Sequence, residues 1–220
     1  EQPAFVPQQF DPIFADKEKP DHDPDAPALA DELDNVEALA ARLAALGFDD
    51  ARTAGSRLAA TLQGPRLSSM PDASRERLLA LVDAALPLVA TVVDEAGIGS
   101  HAATLGRLLD LFEAIARRSA YLSLLTEYPH TLERVIRMIN ASGWAATFLT
   151  QHPILLDELL DDRNEGAGDM AQLAAALDEQ LNAAAGDTER QLDILRETHH
   201  AHLFRLLALD LAGELAAERL

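Results

Sequence analysis

The feature that most constrains the fold of this chain is its abundance of alanine and leucine. The 220 residues include 41 alanines and 38 leucines, but only 14 valines and isoleucines together. Alanine and leucine are strong helix formers, whereas β-branched residues favour strands. Because 48% of the residues are apolar, the chain can also bury a sizeable core. The composition therefore predicts an all-α fold, a multi-helix bundle.

Charge and composition exclude several classes of protein. Asp and Glu number 37 against 18 Lys and Arg, a net charge of −19, which argues against nucleic-acid binding and against a basic membrane anchor. The absence of cysteine excludes disulfides, zinc–thiolate sites and cysteine nucleophiles.

The longest stretch without a formal charge, residues 138–156, contains polar residues and Pro153, so we expect two short helices there and no membrane span. With no signal peptide visible, we expect a cytoplasmic protein.

Proline and acidic residues set the amino-terminal segment apart. Residues 1–27 hold six of the eleven prolines and an acidic run around Asp21, Asp23 and Asp25. We expect an extended linker here, because proline removes backbone donors and neighbouring carboxylates repel. Four apolar side chains could instead dock on the helical body or on a neighbouring domain: Phe5, Phe10, Ile13 and Phe14. Residues 28–220 are predicted to form one helical domain, with a sub-boundary near 97–100.

Apolar periodicity divides the first half of this domain into helices. We expect one helix from residue 28 to Gly47 and a second over 50–63. A third is predicted over 72–93, capped by Asp72 and kinked or split by Pro87. Gly97 and Gly99 then break the chain, and Ser100 is expected to cap the next helix.

In the second half, prolines and a glycine-rich break mark the helix starts. Pro129 and Pro153 are predicted to open helices over 129–140 and 153–162, with another over 143–151 between them. After the break RNEGAGD, residues 163–169, we expect an amphipathic helix from Met170 to near Gly186. Thr188 and Gln191 are predicted to form a capping box at the start of a long C-terminal helix. Its run from Leu203 to Leu211 is apolar over most of its circumference, so we expect that part of the helix to lie centrally in the bundle.

Two clusters resemble metal sites, but each lacks a required part. Asp21, Asp23, Asp25 and Glu32 occupy ligand positions of a calcium loop, yet Ala26 stands where the loop needs glycine. His199 and His202 share a helix face without an evident third ligand. The phosphate-binding, nucleophile-elbow and zinc-protease motifs are also absent. We therefore expect neither a metal site nor a catalytic residue in this chain.

The densest basic group is a candidate partner-binding surface. Its members are Arg117, Arg118, Arg134 and Arg137. Guanidinium groups bind carboxylates bidentately, so they could hold a neighbouring domain or a protein partner. The alternative is ion pairing inside the domain with Glu113, Glu127 and Glu133. The residues alone thus favour a helical interaction or linker domain.

Two long segments resemble a known enzyme family. Residues 116–163 read ARRSAYLSLLTEYPHTLERVIRMINASGWAATFLTQHPILLDELLDDR and are similar to a helical segment of the bifunctional glutamine synthetase adenylyltransferase/adenylyl-removing enzymes. Residues 186–215 read GDTERQLDILRETHHAHLFRLLALDLAGEL and are similar to the long helix that leads into a nucleotidyltransferase domain of that family. Residues 43–64 and 75–89 also fit its central region. The resemblance implies the central helical region that precedes the second nucleotidyltransferase domain.

The resemblance implies a function in nitrogen regulation. Enzymes of this family add and remove AMP on a glutamine synthetase tyrosine, with ATP and magnesium held by a Gly-Ser followed by Asp-x-Asp. Neither Gly55-Ser56 nor Gly99-Ser100 is followed by such an Asp pair, so no catalytic residue carries over and this fragment should be inactive alone. The implied function is noncatalytic: to position the two nucleotidyltransferase halves and to relay signals from glutamine and the PII signal protein. The alternative is an independent helical protein-interaction adaptor.

Overall fold

A computed structural model of the chain describes residues 28–159 and 170–211, and it confirms the all-α prediction. These two ranges contain eleven α-helices, one 3₁₀ segment and no strand. The α-helices are α1 Leu29–Glu32, α2 Val36–Ala45, α3 Ala51–Leu62, α4 Pro65–Ser68, α5 Asp72–Ala96, α6 His101–Ile115, α7 Ser119–Glu127, α8 Pro129–Ala141, α9 Gly143–Gln151, α10 Met170–Ala183 and α11 Thr188–Leu211. The 3₁₀ segment is Pro153–Leu159. None of the helices in these ranges is long and apolar enough to cross a membrane.

Three sequence predictions fall wholly or mainly outside the described residues. They are the linker over 1–27, the three aspartates of the calcium-loop pattern and the break over 163–169. Of the calcium-loop pattern, only Glu32 is described; it ends α1 and accepts a hydrogen bond from Arg42 at 3.1 Å. That carboxylate therefore takes part in an ion pair within the helical body.

The single helix predicted from residue 28 to Gly47 is wrong, because the chain forms two helices there. The side chain of Asn35 accepts a hydrogen bond from the backbone N–H of Ala38 and starts α2 as a separate helix. The predicted end is correct, since Gly47 has a positive φ of 96°. The turn that follows joins α2 and α3 into a helical hairpin, with the Asp50 carboxylate capping α3.

Helix α5 departs from its prediction in two respects. The N-cap position belongs to Pro71, and Asp72 lies in the first turn, where its charge still favours the helix dipole. Pro87 does not split the helix, which runs unbroken for 25 residues. The predicted break at the end of α5 is confirmed by the positive φ of Gly97 and Gly99.

The remaining predicted helix starts are mostly confirmed. The Ser100 hydroxyl caps α6 by accepting from the N–H of Ala103, and Pro129 opens α8 in its first turn. Pro153 opens a 3₁₀ segment in place of the expected α-helix. Helix α8 and the 3₁₀ segment share one continuous core with α2, α3, α5 and α6. The side chains of this core include Leu39, Leu58, Leu86, Leu109, Phe112, Ile136 and Leu156.

Helices α10 and α11 form a hairpin at the end of the described chain. The predicted capping box is wrong: Asp187 caps α11 by accepting from the N–H of Arg190, and Gln191 donates to the carbonyl of Leu181 at 3.1 Å. One face of α11 packs on the body through Phe204, which is fully buried. In the run predicted to be central, Leu209 is buried as well, Leu206 and Leu207 are half-buried and Leu203 is 36% exposed, so one side of the run faces solvent.

Candidate partner-binding surface

The four arginines of the predicted surface have two different environments. Arg117 and Arg118 lie in the turn between α6 and α7 and are exposed. The guanidinium carbon of Arg118 lies 5.8 Å from the centre of the Tyr121 ring, a distance at which a cation–π attraction operates. Neither Arg117 nor Arg118 makes an ion pair in the described ranges. Both charges are therefore accessible to a partner.

Arg134 and Arg137 are bound into the fold. Arg137 donates hydrogen bonds to Glu133 at 2.6 Å and to Glu95 at 2.8 Å, and these contacts raise the pKa of Arg137 above its ordinary value. Arg134 donates to the backbone carbonyl of Leu159 at 3.0 Å. Of the three expected glutamate partners, Glu133 alone forms an ion pair in the described residues. Arg134 and Arg137 thus hold α8 to its neighbours.

An aromatic surface joins α9 to α11, and the sequence analysis did not identify it. Trp144, Phe148 and His152 follow one another at four-residue intervals, which places them on one face of α9 and its C-terminal cap. Trp144 stacks on Phe148 with ring centres 4.9 Å apart. Phe148 also contacts His200 and Phe204 of α11, at 5.2 and 6.5 Å. Trp144 remains 52% exposed, so part of this surface is open to solvent.

Two histidines meet within the aromatic surface. The rings of His152 and His200 lie 4.3 Å apart, and His199 lies 6.1 Å from His200. Partial burial lowers the pKa of His200, and the neighbouring His152, His199 and Arg196 lower it further. The structure therefore brings His200 to His152, whereas the sequence analysis paired His199 with His202. Among the described residues, no group of three or more side chains is placed to hold a metal ion.

A buried polar network fixes the corner on which α8 and α9 meet. The Asn140 side chain accepts from the Thr104 hydroxyl at 2.9 Å and donates to the carbonyl of Ile98 at 3.3 Å. Arg107 donates to the carbonyl of Ile139 at 2.8 Å. Thr104 and Asn140 are 36 residues apart in the chain, so no local pattern could have revealed the contact. The network holds the end of α8 against the first half of α6.

A buried histidine lies between two carboxylates near the start of α6. His101 is only 2% exposed, and its ring nitrogens lie 3.6 Å from Asp49 and 3.3 Å from Asp94. Asp49 and Asp94 face opposite sides of the ring, so the three side chains cannot converge on one ion. Phe48 packs against the ring at 5.0 Å. The contacts tie the α2–α3 turn to the junction of α5 and α6.

The two Gly-Ser pairs do not fit an ATP–magnesium site. Gly55 lies within α3, where a Cβ would come 3.2 Å from the backbone of Ala40, so this pair serves close helix packing. Ser100 uses its hydroxyl to cap α6. In the part of the chain that the structure describes, no group of three or more His, Asp or Glu side chains is placed to hold a metal ion at either pair. No step of nucleotide chemistry can be assigned to them.

Comparison with protein-family models finds one matching family in the carboxyl-terminal part of the chain. Residues 132–220 match the family described as glutamate-ammonia ligase adenylyltransferase. The match begins inside α8 and includes the aromatic surface and the α10–α11 hairpin.

Relatives extend the similarity over nearly the whole chain. A protein of Ralstonia nicotianae is 43% identical over 97% of this chain, and one of Aromatoleum aromaticum is 44% identical over 99%. A protein of Neisseria meningitidis serogroup B is 42% identical over 81%. All three are named bifunctional glutamine synthetase adenylyltransferase/adenylyl-removing enzyme. The chain spans 22% of the length of the first two relatives and 19% of the third.

Proposed function

Since the chain belongs to the family of bifunctional glutamine synthetase adenylyltransferase/adenylyl-removing enzymes, we propose that it is a noncatalytic helical segment that positions the two nucleotidyltransferase halves. The observation that carries this proposal is the 43–44% identity over almost the whole chain, at about a fifth of the relatives' length. The remaining length of the relatives leaves room for the catalytic domains. ATP and magnesium would bind to those domains, and glutamine synthetase would be their substrate.

The packing of the helices supports a positioning function. Buried residues from α1 to α9, with Phe204 of α11, form one continuous hydrophobic core. Such a body holds whatever is joined to it at a fixed distance and orientation, because close-packed interiors deform little. The proposal also places this segment in the cytoplasm, together with glutamine synthetase, the substrate of the catalytic domains.

A positioning segment can also relay a signal, provided that it has two packings or two dockings that a ligand biases differently. We place the regulatory contact with the PII signal protein on the exposed pair Arg117 and Arg118. These guanidinium groups are accessible and could bind carboxylates of a partner. Arg134 and Arg137 would serve the same contact indirectly, by holding α8 in place.

The decisive experiment is capture of purified PII protein by the chain, with and without glutamine. We expect binding that responds to glutamine and is lost in the double variant Arg117→Glu/Arg118→Glu. The matched control Arg190→Glu/Arg196→Glu changes the net charge of the chain by the same amount, at exposed positions of α11. This variant should bind PII normally. Equal binding by both variants would exclude Arg117 and Arg118 as the contact.

A second measurement tests the noncatalytic assignment. We expect no adenylylation and no deadenylylation of glutamine synthetase by the isolated chain in the presence of ATP and magnesium. Turnover above that of a chain-free control would overturn the assignment.

The alternative function is an independent helical adaptor, and the exposed aromatic surface around Trp144 favours it. A gene that continues into a Gly-Ser, Asp-x-Asp domain after residue 220 would exclude an independent adaptor.

A further inference from the structure

Within the described ranges, five arginines make no ion pair and no side-chain hydrogen bond: Arg66, Arg75, Arg77, Arg117 and Arg118. Arg75 is half-buried and the other four are exposed. Every other arginine of these ranges has a partner. Because the chain has 37 carboxylates against 18 basic side chains, a shortage of acidic residues does not explain the five unpaired guanidinium groups.

The directions of α3 and α6 determine where these arginines lie. The two helices pack on each other, and Asp49, just before α3, lies 3.6 Å from His101 at the start of α6. Further along, Arg57 of α3 pairs with Asp110 of α6. The two helices therefore run parallel and end at the same end of the bundle.

All five unpaired arginines belong to elements at that end. Arg66 lies in α4, just after α3, and Arg117 and Arg118 lie just after α6. Helix α5 packs on α6 and is joined to it by only four residues, so the two run antiparallel. The start of α5, with Arg75 and Arg77, is consequently at this end as well. We call these five residues the arginine surface.

The periodicity of α5 shows which way Arg77 points. Arg77 and Glu95 are 18 residues apart, about five full turns, so they lie on the same face of the helix. Glu95 accepts a hydrogen bond from Arg137 of α8 at 2.8 Å. Helix α7, which begins directly after Arg118, packs on both α5 and α8. Arg77 therefore lies towards the turn that carries Arg117 and Arg118.

Carboxylates lie at this end of the described body too, but they do not pair with the arginine surface. They include Asp72, Glu76 and Glu113, together with Asp34, which accepts from the amide of Gln63 at 2.9 Å. None of these four forms an ion pair with an arginine of the surface. The like charges of the guanidinium groups repel one another, and bound carboxylates of a partner would remove that repulsion.

We propose that the arginine surface binds an acidic segment of a partner protein. Guanidinium groups bind carboxylates bidentately, and their planar fork fixes the geometry of the contact. Arg118 is already oriented by the Tyr121 ring, 5.8 Å away, so it loses less side-chain freedom on binding. Because the surface spans α4, α5 and the turn between α6 and α7, the partner would contact three elements at once.

The charge of the whole chain favours a protein segment over a nucleic acid as the occupant. A phosphate backbone extends its charge far beyond five arginines and would meet the remaining carboxylates of a chain with a net charge of −19. An acidic protein segment can be short enough to end within the surface. Its Asp and Glu side chains would supply the carboxylates that this end of the bundle lacks.

The inference goes beyond the proposed PII contact. It adds Arg66, Arg75 and Arg77, which belong to two other elements, and it specifies that the partner presents carboxylates. It depends on the chemistry of the surface and does not require the partner to be PII. Failure of the PII capture would therefore leave it unaffected.

An NMR titration of the chain with a synthetic oligoglutamate peptide tests the surface. At about 0.15 M salt, charges are screened over about 8 Å, so repulsion by distant carboxylates is weak while contacts at the surface persist. We expect saturable shifts of the amide signals of residues 64–78 and 115–121, and no shifts with the matching oligoglutamine peptide. At about 1 M salt, where the screening length is about 3 Å, the shifts should disappear.

Charge reversal on α4 and α5 distinguishes the whole surface from the α6–α7 turn alone. Arg66→Glu/Arg77→Glu should weaken oligoglutamate binding by about tenfold, since two ion pairs are lost and two like charges are added. The matched control Arg190→Glu/Arg196→Glu changes the net charge by the same amount on α11 and should bind the peptide as the unaltered chain does. Thermal unfolding by circular dichroism verifies that both variants are folded.

Four results would each overturn the arginine surface as an acidic-segment site. They are the absence of saturable shifts with oligoglutamate, equal shifts with oligoglutamine, shifts centred on the aromatic surface, and equal affinities of the Arg66→Glu/Arg77→Glu variant and its control.

Discussion

At the scale of single residues, the corner between α5 and α6 depends on two glycines with different surroundings. Gly97 and Gly99 both have positive φ, at 61° and 87°. A Cβ on Gly97 would meet nothing within 4 Å, whereas a Cβ on Gly99 would collide with Oδ1 of Asn140. That oxygen accepts the hydrogen bond from the buried Thr104 hydroxyl. Glycine at position 99 therefore permits the left-handed backbone conformation and also leaves room for the hydrogen bond between Thr104 and Asn140.

We expect Gly99→Ala to destabilise the fold more than Gly97→Ala. The left-handed conformation costs an alanine about 1–2 kcal/mol at either position. At Gly99 the disturbed bond between Thr104 and Asn140 adds to it, for a total of about 3 kcal/mol. Urea unfolding followed by circular dichroism measures both changes. Equal losses at the two positions would show that Asn140 moves aside without cost.

The histidine pair predicts a dependence on pH. Because the pKa of His200 is lowered in the folded chain, the unfolded chain takes up its proton more readily. Above the unfolded pKa of about 6.5, His200 is neutral in both states and does not destabilise the fold. As the pH falls below that value, the unfolded chain binds the proton first, so the free energy of unfolding decreases.

We expect His152→Ala to raise the pKa of His200 part of the way towards its ordinary value, because one of the causes of the shift is removed and partial burial remains. An NMR titration of the His200 ring measures the change. His130→Ala, beside Tyr128 on another helix, is the control and should leave it unaltered. An unchanged pKa in His152→Ala would assign the shift to partial burial and to the charges of His199 and Arg196, without a contribution from His152.

At the scale of elements, α5 is a long helix that tolerates an internal proline. Pro87 cannot donate to the carbonyl of Asp83, so the helix lacks one backbone hydrogen bond at its middle. The Thr91 hydroxyl donates to the Pro87 carbonyl at 3.0 Å, and Leu86 and Val89 remain buried on either side. Packing thus maintains the helix where its own backbone is weakest. This weak point is where we place a hinge within the described residues.

Pro87→Ala should strengthen α5 without altering the fold. Restoring the missing bond is expected to raise the free energy of unfolding by about 1 kcal/mol, less than the full penalty for an internal proline because the helix has already adapted. Hydrogen exchange over residues 80–95 should slow. Pro129→Ala serves as the control, since a first-turn proline loses no helical bond. An unchanged exchange pattern around Pro87 would count against the hinge.

At the scale of the whole molecule, the boundary of the family match differs from the boundary of the packed body. The match begins at residue 132, within α8, yet α8 packs against both α5 and α6. Its buried side chains include Leu132, Val135, Ile136 and Ile139. The helices upstream of the match therefore belong to the same folding unit as the first matched helices.

We expect a fragment of residues 132–220 not to fold cooperatively. Exposing the four buried side chains of α8 at about 1.5–3 kcal/mol each costs about 6–12 kcal/mol, which is comparable to the whole stability of a typical domain. Urea unfolding of the fragment and of the full chain provides the comparison. A sigmoidal transition in the fragment would mean that α8 to α11 are stable on their own.

The sequence by itself determined the helical class, the family and most helix ends of this protein. These features depend on composition and on residues within about four positions of one another, as with the Ser100 cap, the first-turn Pro129 and the positive-φ Gly97. Where two neighbouring residues could both cap a helix, as with Asp187 and Thr188, the local pattern did not choose between them.

Only the tertiary structure decided which side chains meet. It bound Arg134 to Leu159 and left Arg117 accessible, although both arginines belong to the same basic block. It brought His152 to His200, which are 48 positions apart in the chain. The physical reason is that such contacts result from packing helices that are distant in sequence around one core, and no short stretch of sequence encodes the relative placement of helices.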